Sequence, residues 1–425
     1  MSLSACKIST LISNVHGLAS NSASPVDTWI VTLHKPYKNT KKLFMKIHLN
    51  PKYLNPEMKI VDNKKFVDLQ RKTAGLIYEN DVYRKIINPL VNKNICTNFI
   101  KNFGSGKACD YEDLLICLLG NTISDQNKIL TNEECKHNLN RSIAFIYEMD
   151  KGRPSINDIE PKITNEMSKN LYEKFKNLKF NILINEVLEN SITFGDYIFE
   201  RTHTPKDFWA ILFQLAFTCY VMSLSKMNHN DAHVNNIFLK KFDKDEYMIY
   251  YINEIPVIIN TSYKVFVYDF DRSYVQSLGI NYLLTEETCL DTSQCNKFFE
   301  NKDIIKILCN VYNTSKDLNT RRKIINLISS EETTKKDIEK IYRHMSIYTG
   351  KIQCFLVNEK EETLSEEVFK KFNTTEQILF NIVNELKNIG NYANAAEAYK
   401  SMINKNNVSV CNKKFFDENG ALIIT

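Results

Sequence analysis

Phe208 to Leu224, FWAILFQLAFTCYVMSL, is a run of 17 residues broken chiefly by Gln214 and Thr218. A helix that is apolar all round has no solvent face, so it must lie inside a large core or cross a membrane. The run is shorter than the roughly 20 apolar residues a span needs, and it reads as a buried helix. Its start is well marked: Thr204 can cap, Pro205 suits the first helical position, and Asp207 sits three residues after the cap. A chain that buries a whole helix must build layers around it. At 425 residues it has the length for roughly two or three domains, or for one elaborated two-lobed unit.

The segments on either side of the helix differ in period. Upstream, DTWIVTLHK and KLFMKIHLN alternate like strands and are joined by the Lys/Asn-rich turn PYKNTK. DLQRKTAGLIYENDVYRKII follows with apolar residues at helical spacing, and the helix is expected to end before Pro89. FNILINEVLEN returns to a buried-strand pattern. After the apolar helix, IFLKKF, YMIYYINEIPVII and KVFVYDFD are rich in β-branched and aromatic residues and read as strands of a hairpin or small sheet. Beyond residue 300 the pattern is almost wholly helical, with Gly390 as a C-cap. The Asn- and Lys-rich stretch from Pro89 to about Asn170 carries no strong motif and reads as an insertion.

Composition narrows the class. Hydrophobic residues make up 43% and charged residues 25%, which excludes disordered, collagen-like and membrane chains. Fifty-five basic residues against 50 acidic leave a net charge of +5, too balanced to argue for nucleic acid as a partner. The N-terminus shows no secretory signal pattern. Eleven cysteines without C-x-x-C pairing read as reduced, mostly buried thiols in a cytosolic setting, and the zinc candidate Cys109, Cys117, Cys135 and His137 is set aside.

The apolar helix leads into MNHNDAHVNNI, where His229, Asp231 and Asn236 form H-x-D-x-x-x-x-N. That spacing suits phosphoryl transfer: a carboxylate accepts the attacking hydroxyl's proton while an amide oxygen, one short loop away, helps hold magnesium. A second acid should end a facing strand. VFVYDFD supplies Asp269. Alone, such a string in an Asn-rich chain is also an ordinary turn.

On these two segments the chain resembles the eukaryotic-like protein kinase superfamily, whose catalytic loop and D-F-G motif they match. Its Asn/Lys/Ile-rich style resembles serine/threonine kinase-like proteins of large DNA viruses. The resemblance implies an α+β, bilobal protein-kinase-like fold, with a small β-rich N-lobe in residues 1–190 interrupted by the insertion at about 89–170. A larger helical C-lobe would take 191–315, and 316–425 would form its helical end or an extension. It implies that Lys46 contacts the α- and β-phosphates, that Glu79 pairs with Lys46, and that backbone groups of Glu186 and Leu188 meet the adenine edge. Gly17 represents the glycine-rich loop, Asn236 and Asp269 hold Mg²⁺, Asp231 is the catalytic base, and His229 and Asp303 support the loop. ATP is the implied cosubstrate, a protein Ser or Thr hydroxyl the acceptor, and the cytoplasm, host cytoplasm or virion the location, with no nucleic acid and no membrane span.

The chain departs from the family at several points. Only Gly17 is present where three glycines are usual, Asp271 replaces the last glycine of D-F-G, Asn230 stands where many kinases have Arg, and there is no A-P-E segment. A pseudokinase scaffold therefore remains an alternative. So does a small-molecule kinase of aminoglycoside or choline type, because His233 resembles that branch. FGSGKACD lacks the spacing of a phosphate-binding P-loop and reads as an ordinary loop. TRRKII reads as a solvated helix face. Oligomeric state is not encoded in any recognisable pattern.

Overall fold

The computed structural model describes residues 12–17, 26–37, 40–50, 52, 63–110, 179–199, 203–284, 295–346, 366–391 and 407–423. The chain is α+β, with a β-rich N-terminal region and a helical later region. It divides into two units, Met1–Asn80 with Lys101–Val187, and Asp81–Ile100 with Leu188–Thr425.

The first unit is built on an antiparallel sheet of β1 (Ile12–Gly17), β2 (Val26–Tyr37), β3 (Thr40–Leu49), β4 (Asn102–Asp110) and β5 (Lys179–Glu186), in the order β1-β2-β3-β5-β4. Leu43, Met45 and Ile47 of β3 alternate onto one face and are buried. The intervening Lys46 and His48 are buried too, so β3 is covered on both faces and lies between β2 and β5. Lys46 is in register with Thr28 on one side and Leu183 on the other. Helix α1 (Asn63–Val82) carries Thr73, Leu76 and Glu79 on its buried side.

Two expectations fail here for backbone reasons. FGSGKACD is not a loop but most of β4, so part of the stretch assigned to an insertion belongs to the sheet. Its glycines hid the strand. They lie at register shifts between Asn102 and Gly104 and between Gly106 and Cys109, near Ala108 with its φ of 52°, where an irregular strand tolerates them. The helix also does not stop before Pro89. A π-turn over Tyr83–Ile87 lets the Asn88 N–H reach Tyr83 O, and α2 (Asn88–Asn92) carries Pro89 in its first turn, where no N–H is needed.

In the second unit, α3 (Phe194–Phe199) and α4 (Pro205–Leu224) precede a short β7 (Met227–Asn228). The Thr204 hydroxyl caps α4 by accepting from Asp207 N at 3.1 Å. By length and composition α4 alone among the described residues could cross a membrane, yet 89% of its apolar window is buried in the fold. Phe213 and Phe217 meet the ring of Tyr250 at 5.1 and 4.7 Å. Gln214, a polar break in the run, is fully used: Oε1 accepts from Asn98 Nδ2 and Val265 N, and Nε2 donates to Tyr263 O.

β8 (Ile237–Ile252) and β9 (Ile255–Val267) form one long hairpin, turned by Asn253 and Glu254, both at positive φ. β6 (Ser191–Thr193) and β11 (Val408–Cys411) pair with the other edge of β8. The parallel strand β11 was not anticipated. Its four residues carry too little alternation to stand out after a helical stretch. The helices α5 (Lys302–Thr314), α6 (Leu318–Ile328), α7 (Lys335–Ser346), α8 (Glu366–Lys370) and α9 (Thr375–Asn388) agree with the reading of the region. Gly390, at φ 71°, completes a Schellman close of α9: Asn391 N donates to Leu386 O and Gly390 N to Lys387 O.

Cys96, Cys219, Cys309 and Cys411 are buried free thiols, and burial pushes Cys96 up to about 12. Cys109 and Cys295 are disulfide-bonded, against the expectation of thiols throughout. That removes Cys109 as a metal ligand, and Cys117, Cys135 and His137 lie outside the described residues. In TRRKII, Arg321 donates to Ser315 O at 2.8 Å and stacks over Tyr312, while Lys323 pairs with Glu385. Two of its three cations thus serve the fold.

Candidate active site

Within the first unit, Lys46 Nζ lies 3.0 Å from Glu79 Oε2 and 3.3 Å from Oε1. The strand presents its lysine on the face opposite Met45, and the helix turns Glu79 inward, where it is 0% exposed. A carboxylate so buried requires a cation. Glu186 closes β5, donates its N–H to Lys101 O at 2.9 Å and accepts from Lys101 N at 3.4 Å. Gly17 ends β1 opposite Trp29, and residues 18–25, the rest of the candidate glycine loop, lie outside the described residues.

Within the second unit, the carbonyl of Leu188 accepts the Ser191 hydroxyl at 2.8 Å. The polar loop after α4 is held from below by Asp303, on the first turn of α5 and 3% exposed. Its Oδ2 accepts from Asn228 Nδ2 at 3.1 Å and His229 N at 2.8 Å, and its Oδ1 from Asn230 N at 3.1 Å. One buried carboxylate thereby satisfies two successive backbone N–H groups and bends the chain there, with Asn230 at φ 61°.

His229 faces inward. Its Nε2 donates to Tyr268 O at 2.8 Å and its ring meets Phe270 at 5.0 Å. Phe270 is completely buried, with Tyr83 at 5.3 Å and Phe99 at 5.9 Å as its other ring neighbours. This packing fixes the Asp-Phe-Asp segment next to the loop.

Asp231 and Asn236 come together across the loop. Asn236 Nδ2 donates to Asp231 O at 3.0 Å and to Asp231 Oδ2 at 3.4 Å. With its donors facing Asp231, the Asn236 amide oxygen is the atom suited to a cation. Asp269 reaches the same end of the hairpin because Ile237 is in register with Val267, and it sits in the left-handed region at φ 69°. A non-glycine residue there is a strained feature typical of functional sites. Among the described residues no group of three or more His, Cys, Asp or Glu could hold a metal. One carboxylate and one amide oxygen nevertheless suit Mg²⁺, which takes few protein ligands and completes its shell with phosphate and water.

Of the groups around Asp231 the sequence singled out His233, but not Arg272 or Lys306. Arg272 Nη1 is 3.6 Å from Oδ2, His233 Nε2 is 3.8 Å from Oδ2, and Lys306 Nζ is 3.8 Å from Oδ1. His233 Nδ1 accepts from Asn235 N at 3.2 Å and caps the short turn that carries Asn236. Burial above all holds His233 below the ordinary imidazole range, opposed by Asp231. Lys306 was detectable in principle, as a lysine amid Ile304, Ile305, Ile307 and Leu308 on a helix face that should be apolar.

Asn230 ties the loop to its surroundings. Its Nδ2 donates to Arg272 O and Cys295 O, each at 3.0 Å, and its Oδ1 accepts from Lys302 Nζ at 2.8 Å. β7 pairs with β10 (Tyr274–Val275), and Asn281 Nδ2 donates to Asp271 O and Ser273 O. The segment following Asp-Phe-Asp is thus fastened to the loop by neutral amides.

No family model matches the chain, and no curated protein matches it significantly.

Proposed function

We propose that the protein is an ATP-dependent phosphotransferase with a protein-kinase-like fold, and specifically a serine/threonine protein kinase. The observation that carries the reading is the Asp303 clamp, which holds the loop so that Asp231 and Asn236 meet beside β9, the strand that leads to Asp269. The buried Lys46–Glu79 pair in the first unit supplies the cation such chemistry needs at the phosphates.

Asp231 orients the acceptor hydroxyl and takes its proton as that oxygen bonds to the γ-phosphorus. The bond from phosphorus to the β–γ bridging oxygen breaks, and ADP leaves with its electron pair. Asn236 and Asp269 are the residues that would hold Mg²⁺, which when bound neutralises charge across the phosphates. Lys46, steadied by Glu79, meets the α- and β-phosphates. Backbone groups of Glu186 and Leu188 address adenine, and Gly17 lies on the strand leading to the phosphate-covering loop. Most of the rate acceleration then comes from positioning and preorganised charge.

The test is transfer of labelled γ-phosphate from Mg-ATP to a Ser/Thr-containing protein by the purified chain. Wild-type transfer that disappears in Asp231→Asn supports the reading. Transfer only to small alcohols would favour a small-molecule kinase, and nucleotide binding without turnover would favour a scaffold.

A further inference from the structure

Asp231 is 8% exposed, and a carboxylate withdrawn from water needs a fixed cation beside it to hold it in place. Its own loop does not provide one. Positions 230, 232, 234, 235 and 236 are Asn, Ala, Val, Asn and Asn, and burial keeps His233 toward its neutral form. The charge comes from other elements of the same unit. Arg272 follows Asp-Phe-Asp and its side chain is 36% exposed, whereas the Lys306 side chain is 3% exposed. Solvent screens the first far more than the second.

Lys306 is also the better fixed of the two. It sits on α5 one turn beyond Asp303, so the helix that clamps the loop backbone delivers the ammonium to the loop's working carboxylate. Its Nζ donates to Asn230 O at 2.6 Å and stands 3.8 Å from Asp231 Oδ1. Asp231 Oδ2 is approached by Asn236, Arg272 and His233. The carboxylate is therefore held from two sides, with the buried cation on the Oδ1 side.

Resting on the kinase reading, we infer that Lys306 is a positioning residue for phosphoryl transfer: its ammonium, anchored on Asn230 O, holds the Asp231 carboxylate in place and aimed at the acceptor hydroxyl. When the hydroxyl oxygen bonds to the γ-phosphorus, its proton passes to Asp231 and the bridging oxygen leaves with ADP. Lys306 exchanges no proton in that step. Burial pulls its ammonium below the ordinary lysine range, and Asp231 and Asp303 hold it up against that pull, as expected of a cation maintained by the acids it serves.

The experiment compares Lys306→Gln with Lys306→Arg in the full chain. Gln can still donate to Asn230 O but carries no charge, so it separates the structural bond from the electrostatic role. Lys306→Gln should melt close to wild type and keep KM for ATP within about twofold, while kcat falls by about 10- to 100-fold. Lys306→Arg should retain clearly more kcat than Lys306→Gln. An active wild type with an unchanged kcat in Lys306→Gln overturns the inference and leaves the kinase reading intact, as does an equal loss in both variants. A wild type that transfers no phosphate overturns the reading and the inference together.

Discussion

Removing the Asp303 carboxylate is the most informative perturbation of the loop. Three donors converge on it, Asn228 Nδ2, His229 N and Asn230 N, at 3.1, 2.8 and 3.1 Å. Each hydrogen bond to a charged acceptor contributes about 1.5–3 kcal/mol, and a buried donor left unmade costs about 1–3 kcal/mol. A simple sum for Asp303→Ala would exceed what single substitutions do, because the loop relaxes and admits water. About 3–5 kcal/mol is expected, the upper end of the observed range. Asp303→Asn can keep its oxygen at the Oδ2 position for Asn228 and His229 as neutral bonds, but turns its NH₂ donor toward Asn230 N and loses that bond outright. About 2–3 kcal/mol is expected for it. Urea unfolding gives the order wild type, Asn, Ala, and hydrogen exchange at the His229 and Asn230 amides should accelerate in the same order. A cost below about 1 kcal/mol for the Ala variant, or unchanged exchange at both amides, would refute the clamp.

Two further outcomes follow from the packing. Lys46→Met deprives the buried Glu79 of its ammonium and should cost about 3–5 kcal/mol in urea unfolding, most of it recovered when Glu79→Leu is added; a single variant as stable as wild type would show that the pair is not buried as described. Gly420 has a φ of 79°, and a Cβ there would lie 2.5 Å from Ser225 C and 2.7 Å from Ser225 O. Gly420→Ala should therefore cost about 2–4 kcal/mol from backbone strain and overpacking and expose the C-terminal segment to proteolysis, and a variant that melts and resists protease like wild type would contradict this contact.

Much of this arrangement is visible before any coordinates, and the reason is periodicity. The all-apolar helix, its Thr204 cap, the β8–β9 hairpin and the β2–β3 pair each repeat a simple pattern over enough residues to be read. Lys46, Glu79, Asp231, Asn236, Asp269 and Asp303 fall on the elements where they were placed. What escaped depends on partners distant in sequence. β4 is irregular and glycine-bearing, and its strand character comes from pairing with β5, whose sequence lies some seventy residues away. Pro89 continues a helix because a π-turn precedes it. Lys306 and Arg272 acquire meaning only when Asp231 is brought beside them, 75 and 41 residues away in sequence. The disulfides of Cys109 and Cys295 could not be separated from thiols by spacing alone.

The central claim is that Asp231 performs the proton-accepting step at a site that binds Mg-ATP independently of it. Calorimetric ATP binding with and without Mg²⁺, measured beside γ-phosphoryl transfer for wild type and Asp231→Asn, addresses that claim directly. The account predicts magnesium-dependent binding in both proteins and transfer by the wild type alone. Undiminished transfer by Asp231→Asn, or a wild type that binds no nucleotide in either condition, would contradict it.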